Sequence, residues 1–230
     1  TTLFRSRNAI VKRQALDRIM IGFNGVKRAK TSNRAENPLL QDVNKGWLQK
    51  IREDAPDHVM GSTTRDGATT AGAVKVGKGG DYANLDAVVM DAVNELIDAV
   101  YQDDDDLVVV CGRELLSDKY FPLVNKEQDN SEKIAADLII SQKRMGGLQA
   151  VRAPYFPANA LLITRLDNLS IYWQEDTRRR SVIDNPKRDR IENFESVNEA
   201  YVVEDYRCAA LVENIEIGDF SAPAAPEGGE

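Results

Sequence analysis

The sequence predicts an α+β fold with an α/β layer at its centre, and three stretches carry that reading. Leu85, Val88, Val89, Ala92, Val93, Leu96, Ile97, Val100 and Tyr101 recur at three- and four-residue steps, which puts them on one buried side of a helix. Leu107–Cys111 (LVVVC) is a continuous apolar run, too short for a helix and rich in valine, so it reads as a strand covered on both faces. From Arg190 to Glu204 and again from Arg207 to Ile217 the chain is β-rich, with Tyr201, Val202, Val203, Leu211, Val212 and Ile215 as apolar positions.

Around those stretches the remaining elements follow in order. Arg5–Asn24 is a helix with a narrow stripe of Ala9, Leu16, Ile19, Met20 and Phe23, closed by Gly25 as C-cap. A stripe that narrow packs against something thin, a sheet or another subunit. Residues 26–38 are polar and turn-rich, an exposed loop. A short helix is expected around Trp47, Leu48 and Ile51, and a hairpin turning at Asp66-Gly67. Asp81 and Asn84 offer caps to the long helix. After Gly112, Leu115, Leu116, Tyr120 and Phe121 resume helical spacing until Pro122, expected to end that helix. The segment KEQDNSEK is a polar connection, Ile134–Ile140 a helix or the approach to a strand, and Gly146-Gly147 a turn. Strands are expected at Leu161–Ile163 and Leu169–Trp173, with Thr177–Arg190 a charged excursion between strands and SAPAAPEGGE a disordered tail.

Composition narrows the function classes. The 230 residues, 42% hydrophobic and 29% charged, suit one sizeable core or two modest ones. No apolar run approaches the length of about eighteen residues that a membrane span needs, so no membrane partner is expected. One histidine and two isolated cysteines cannot supply the paired ligands of a structural zinc site, and buried free thiols are expected at Cys111 and Cys208. The net charge of −7 is unevenly spread: residues 1–52 hold twelve Lys or Arg against three Asp or Glu, a local +9, leaving −16 on the rest. Either each end is a solvated charged face, or basic and acidic surfaces of neighbouring copies complement one another.

The search for chemistry yields little. Gly77–Asp81 (GKGGD) precedes a helix, but it lacks the glycine spacing and Lys-Ser/Thr pair of a phosphate-binding loop; a nucleotide- or metal-binding protein using it is the alternative reading, and a flexible hinge the plainer one. Asp103, Asp104, Asp105 and Asp106 are the right ligand type for a hard cation, yet consecutive aspartates diverge and read as a solvated loop. His58 lacks a nucleophile-like setting. Arg178, Arg179, Arg180 and Arg188, with Lys187 and Arg190, form a mixed-sign patch beside Glu175, Asp176 and Asp189, suited to a subunit contact or to solvent. No catalytic residue, cofactor or metal is expected. The candidate contact residues are Arg7, Arg13 and Arg18 on the first helix, Asp103–Asp106, and Arg178, Arg179, Arg180 and Arg188.

Longer stretches carry a resemblance. The run RNAIVKRQALDRIMIGFNGVKRAKTSNRAENPLLQDVNKGWLQKIR, then VGKGGDYANLDAVVMDA, LVVVCGRELLSDKYFPLVNKEQDNSEKIAADLIISQKRMGGL, NLSIYW and PKRDRIENFESVNEAYVVEDY, resembles the major capsid proteins of Peduovirus-like tailed phages and prophages. That family is similar to the wider group with the HK-ninety-seven-like, or Johnson, capsid fold. The resemblance implies that residues 1–80 belong to a peripheral domain with Arg5–Asn24 as its spine helix, 81–206 to an axial domain, and 207–220 to a strand returning to the periphery, with 221–230 as the tail. It further implies pentamers and hexamers of this chain, a scaffolding protein as assembly partner, packaged double-stranded DNA held non-specifically, and a virion shell assembled in the bacterial cytoplasm. The arm and extended loop expected ahead of the spine helix, with the lysine that some relatives cross-link through, have no counterpart in these residues. The chain therefore reads as a trimmed piece, expected to be mainly monomeric or weakly and salt-sensitively associated.

Overall fold

A computed structural model describes residues 2–65, 68–124 and 143–221, with side chains described over 8–61, 72–120 and 143–221. The expected features at Asp66-Gly67, at 126–140 and in the tail beyond residue 221 lie outside the described residues. The described residues form four α-helices: α1 (Thr2–Asn24), α2 (Trp47–Asp54), α3 (Leu85–Leu96) and α4 (Arg113–Val124). The strands are β1 (Val59–Met60), β2 (Ser62–Arg65), β3 (Ala68–Ala71), β4 (Val74–Val76), β5 (Leu107–Cys111), β6 (Arg144–Met145) and β7 (Leu148–Arg152). They continue with β8 (Leu161–Arg165), β9 (Leu169–Trp173), β10 (Arg179–Asn185), β11 (Arg190–Ser196), β12 (Glu199–Val203), β13 (Ala209–Val212) and β14 (Ile215–Ile217).

The centre is a six-stranded mixed sheet in the order β1-β13-β8-β5-β7-β6. It draws strands from residues 1–80, 81–206 and 207–220 alike, so all three segments share one sheet. Because successive side chains on a strand point to opposite faces, β5 divides its residues between two cores. Leu107, Val109 and Cys111 join Leu161, Ile163, Ala210 and Val212 beneath α3 and α4. Val108 and Val110 join Leu162, Ala209 and Leu211 on the other face, beneath α2 and the end of α1. That is why LVVVC is apolar without alternation: both faces are covered.

On the first face, α3 buries Leu85, Val88, Val89 and Ala92, and Asn84 caps it by accepting from the Ala87 amide at 2.9 Å. The helix is shorter than its apolar spacing suggests. It ends at Leu96; Ile97 is extended but still buried, and Val100 stands exposed. Asp81 does not cap it, and instead accepts from the Lys75 amide at 2.9 Å. Nor does Pro122 end α4, which continues to Val124. A proline removes one amide from the ladder, here the bond back to the Asp118 carbonyl, and the helix runs two residues past it.

On the second face an aromatic cluster ties α1 to the sheet. Phe23 meets Trp47 and Phe156 edge-on at 5.3 and 5.0 Å between centroids, and Trp47 meets Tyr201 at 5.2 Å. The Trp47 indole donates to the Ser170 carbonyl at 2.9 Å, and the Tyr201 hydroxyl to the Arg18 carbonyl at 3.0 Å. Gly25 closes α1 with its amide on the Ile21 carbonyl. Among the described side chains of α1, Met20 and Phe23 are buried, whereas Ala9, Ile10 and Val11 face solvent.

Besides β4–β14 and β2–β3, two further two-stranded sheets accompany this centre among the described residues. One pairs β9 with β12, and the other is a hairpin of β10 and β11 over seven rungs, from Arg179↔Ser196 to Asn185↔Arg190. In the second, β10 lies in the stretch expected to be a charged excursion between strands, while β11 opens the stretch expected to be β-rich. The hairpin's turn is a short 3-10 segment at Pro186–Arg188, followed by Asp189 in the left-handed region. The expected turn at Gly146-Gly147 is present between β6 and β7, with both glycines at positive φ.

Candidate assembly surface

The β10–β11 hairpin pairs with no other strand among the described residues, and nearly all of its side chains are exposed. In-register partners share a face, so Ser181, Ile183, Phe194 and Glu192 lie on one side and Val182, Asp184, Asn193 and Ile191 on the other. Each side thus carries two large apolar side chains in water, with Ile191 at 73% and Phe194 at 55% exposure. An isolated two-stranded hairpin is marginal in water, and one with apolar residues on both faces is a surface built to be covered. At seven residues, each strand is about 20 Å long.

Where the hairpin leaves the body it forms, with α1 and β9, a cleft of about 1030 Å³. Ile21, Ile171, Trp173 and Val197 are its apolar part, and Trp173 is 70% exposed. Asp17, Glu175, Asp176, Glu195 and Glu199 line it against Arg18 and Arg178.

The charged candidates fall at separate places. Arg7 lies in α1 with its side chain outside the described residues. Arg13 pairs with Asp17 one turn on, at 2.9 Å. Arg18 grips Glu199 through two donors, its Nε at 2.9 and 3.0 Å from the carboxylate oxygens, so it ties α1 to β12. That contact raises the guanidinium pKa, the Glu199 hydrogen bond being the main cause. Arg178 and Arg180 approach Glu195 across the hairpin at 3.3 and 3.5 Å. Arg179 is exposed beside them, while Arg188 sits at the far tip, so the basic cluster of the sequence is split by the length of the ribbon. Asp104 turns inward to Arg165 at 3.2 Å and accepts from the Asp106 amide, whereas Asp103, Asp105 and Asp106 are exposed.

The chemistry sought in the sequence finds no setting here. Gly77–Asp81 is neither a phosphate cradle nor a hinge, because the chain's later residues fill it. Gly218 donates to the Val76 carbonyl and Phe220 to the Lys78 carbonyl at 3.0 and 2.8 Å. Gly77, at φ +140°, lies so close to the Gly218 carbonyl that a Cβ would overlap it at 1.9 Å. Among the described residues no three His, Cys, Asp or Glu side chains are grouped to hold a metal ion. Both cysteines are buried and free; burial pushes the Cys111 thiol up to about 11 and raises that of Cys208. No helix of the described residues is long and apolar enough to cross a membrane.

Residues 3–215 match the family model described as phage major capsid protein, P2 family. The chain belongs to the P2 family of phage major capsid proteins. Within that family it is 65% identical over 221 residues to a protein of Escherichia phage P2 named "Capsid proteins", covering 96% of this chain and 62% of the relative. It is 40% identical over 228 residues to the major capsid protein of Serratia phage KSP20, again covering 96% of this chain and 62% of the relative. A solved structure titled satellite phage P4 procapsid including size determination (Sid) protein superposes with a TM-score of 0.85 at 61% identity, over 95% of this chain and 65% of that one. The chain thus spans about 62% of the length of these curated capsid relatives. The tailed-phage capsid fold expected from the sequence is the one this family member adopts.

The exposed apolar residues Val182, Ile183, Ile191, Phe194 and Trp173 are not among the candidates chosen by charge. Their signal was present: β-branched and aromatic residues flank Pro186 in RRSVIDNPKRDRIENF at strand-like spacing.

Proposed function

We propose that this chain is the shell-building part of a major capsid protein, working through repeated contacts between copies that close into pentamers, hexamers and an icosahedral shell. The observation that carries the reading is the β10–β11 hairpin, whose Val182, Ile183, Ile191 and Phe194 leave both faces apolar and uncovered in the single chain. The family's capsid proteins support it, as does the match to a procapsid structure. On this reading a scaffolding protein directs assembly in the bacterial cytoplasm, and the finished virion shell holds double-stranded DNA without reading its sequence. Function then rests in surfaces rather than in reaction chemistry, and nothing at Gly77–Asp81 favours a nucleotide- or metal-binding role. We further propose the division of labour implied by the resemblance, with the α1 side forming the periphery of each capsomer and the 81–206 side reaching its axis.

Electron microscopy of the full-length coat protein, produced with its scaffolding protein, tests this. Closed shells are expected. Persistent monomers under those conditions would refute the reading.

A further inference from the structure

The fold gathers part of the sequence's opposed charge on two exposed features. The first is the loop between α1 and α2. Its ends are joined by the Gly46 amide on the Gly25 carbonyl at 3.0 Å. Its interior is fixed by the Val26 and Lys27 amides on Gln41, the Ala29 amide on the Asp42 carbonyl, and the Asn33 amide on the Asp42 carboxylate at 2.6 Å. That frame holds Lys27, Arg28, Lys30 and Arg34 outward in solvent, with no acidic residue between them in sequence. The ion pairs among the described residues include none of these four; the loop contributes only Lys45, to Glu53. The second feature is the cleft at the hairpin root, lined by five carboxylates around the exposed ring of Trp173; Asp17, Glu195 and Glu199 are paired with arginines, and the ion pairs among the described residues include neither Glu175 nor Asp176.

We propose that the Lys27–Arg34 loop of one copy seats in this acidic cleft on a second copy, with a basic side chain lying against Trp173. The inference rests on the self-assembly proposed above and names one of its contacts. Its chemistry is complementary charge plus cation–π attraction on the face of Trp173. A second copy fits better than a nucleic-acid backbone for two reasons. The loop offers no aromatic side chain for stacking. Its root also touches the cleft's edge, the Asn44 amide group donating to the Glu199 carbonyl at 2.8 Å, so a polyanion reaching the loop also meets the same copy's carboxylates. That nearness makes the contact reciprocal, each loop facing the other copy's cleft, as in a two-fold interface.

Two charge variants test it: Lys27→Glu with Arg28→Glu in the loop, and Glu175→Lys with Asp176→Asn in the cleft. Asparagine is chosen because residue 176 sits at φ +58°. Circular dichroism confirms that each is folded. In sedimentation equilibrium at low salt, the unaltered chain is expected to self-associate, each variant alone to associate about tenfold more weakly, and an equimolar mixture of the two to regain association. A chain that stays monomeric at low salt, or variants that associate like the parent, would overturn the proposal. So would variants that differ only in binding a short DNA duplex, which would assign the loop to phosphate contacts. Shells from the full-length protein that form equally well with either variant would sink this contact alone; failure of the unaltered protein to form shells would sink the assembly reading itself.

Discussion

Replacing Gly22 by alanine sets two effects of opposite sign against each other. Gly22 lies inside α1, where alanine is favoured over glycine by about 1 kcal/mol. A Cβ there, however, would meet the Trp47 ring at 2.2, 2.5 and 2.8 Å, against an ordinary carbon–carbon contact of about 3.5–4.0 Å. Trp47 has little room to retreat: it is held edge-on by Phe23 and Tyr201, and its indole nitrogen is bonded to Ser170. Overpacking of a fixed core group costs about 1–3 kcal/mol, and here the upper half of that range applies. The balance is a net loss of about 1–2 kcal/mol, or roughly 3–6 °C in Tm for a chain of this size. The assay is thermal and urea unfolding of Gly22→Ala beside Gly72→Ala, whose added Cβ meets nothing within 4 Å and which is expected to be neutral or slightly stabilising. A Gly22→Ala chain as stable as the parent, or more stable, would refute the claim that α1 is docked through a closed aromatic cluster.

Further predictions follow from other contacts. Arg52→Ala leaves the half-buried Glu213 carboxylate without the Nε donor held at 2.9 Å, and is expected to cost about 1–3 kcal/mol in urea unfolding, with Arg52→Ala/Glu213→Gln recovering part of it. Cys111 and Cys208 are expected to resist a thiol reagent in the native chain and to react together on unfolding, since both are buried with raised pKa values; rapid native labelling would contradict their placement. Asp205, bonded by Arg207, and Asp167, bonded by Arg165, have carboxyl pKa values held below the usual range. Their stabilising effect is therefore present above the unfolded pKa of about 3.9 and lost as pH falls below it, and Asp205→Asn should flatten the acid limb of a Tm-versus-pH curve. At alkaline pH, Tyr82, pushed up to about 12 chiefly by burial, should cost stability as pH rises from about 10 toward that value, an effect absent in Tyr82→Phe.

The parts of this fold legible in the sequence are those where burial writes a local pattern. Leu85, Val88, Val89 and Ala92 announced α3, and unbroken apolar runs announced β5 and β8, because the covering layer demands those residues whatever the topology. The end of α3 was overestimated because Val100 continues the spacing by chance while Ile97 is buried from an extended conformation. Of the β10–β11 hairpin, β11 falls in the stretch read as β-rich, but β10 and its pairing were hidden for the opposite reason: a ribbon with both faces in solvent has no core side, so its polar and apolar residues follow no inward-outward rule. That β13 sits between β1 and β8 depends on pairing across some 150 residues, which no local pattern records. As for the surface, charge pointed to Arg18 and Asp104, which the fold uses to tie its own elements together. The large apolar residues it leaves exposed include Ile183 and Phe194.

If the uncovered hairpin is what copies use to hold one another, its backbone amides should report it. Hydrogen exchange over residues 179–196 measures this directly, comparing the free chain with the full-length protein in assembled shells. The account predicts fast exchange in the free chain and strong protection in the shell; equal exchange in both would contradict it.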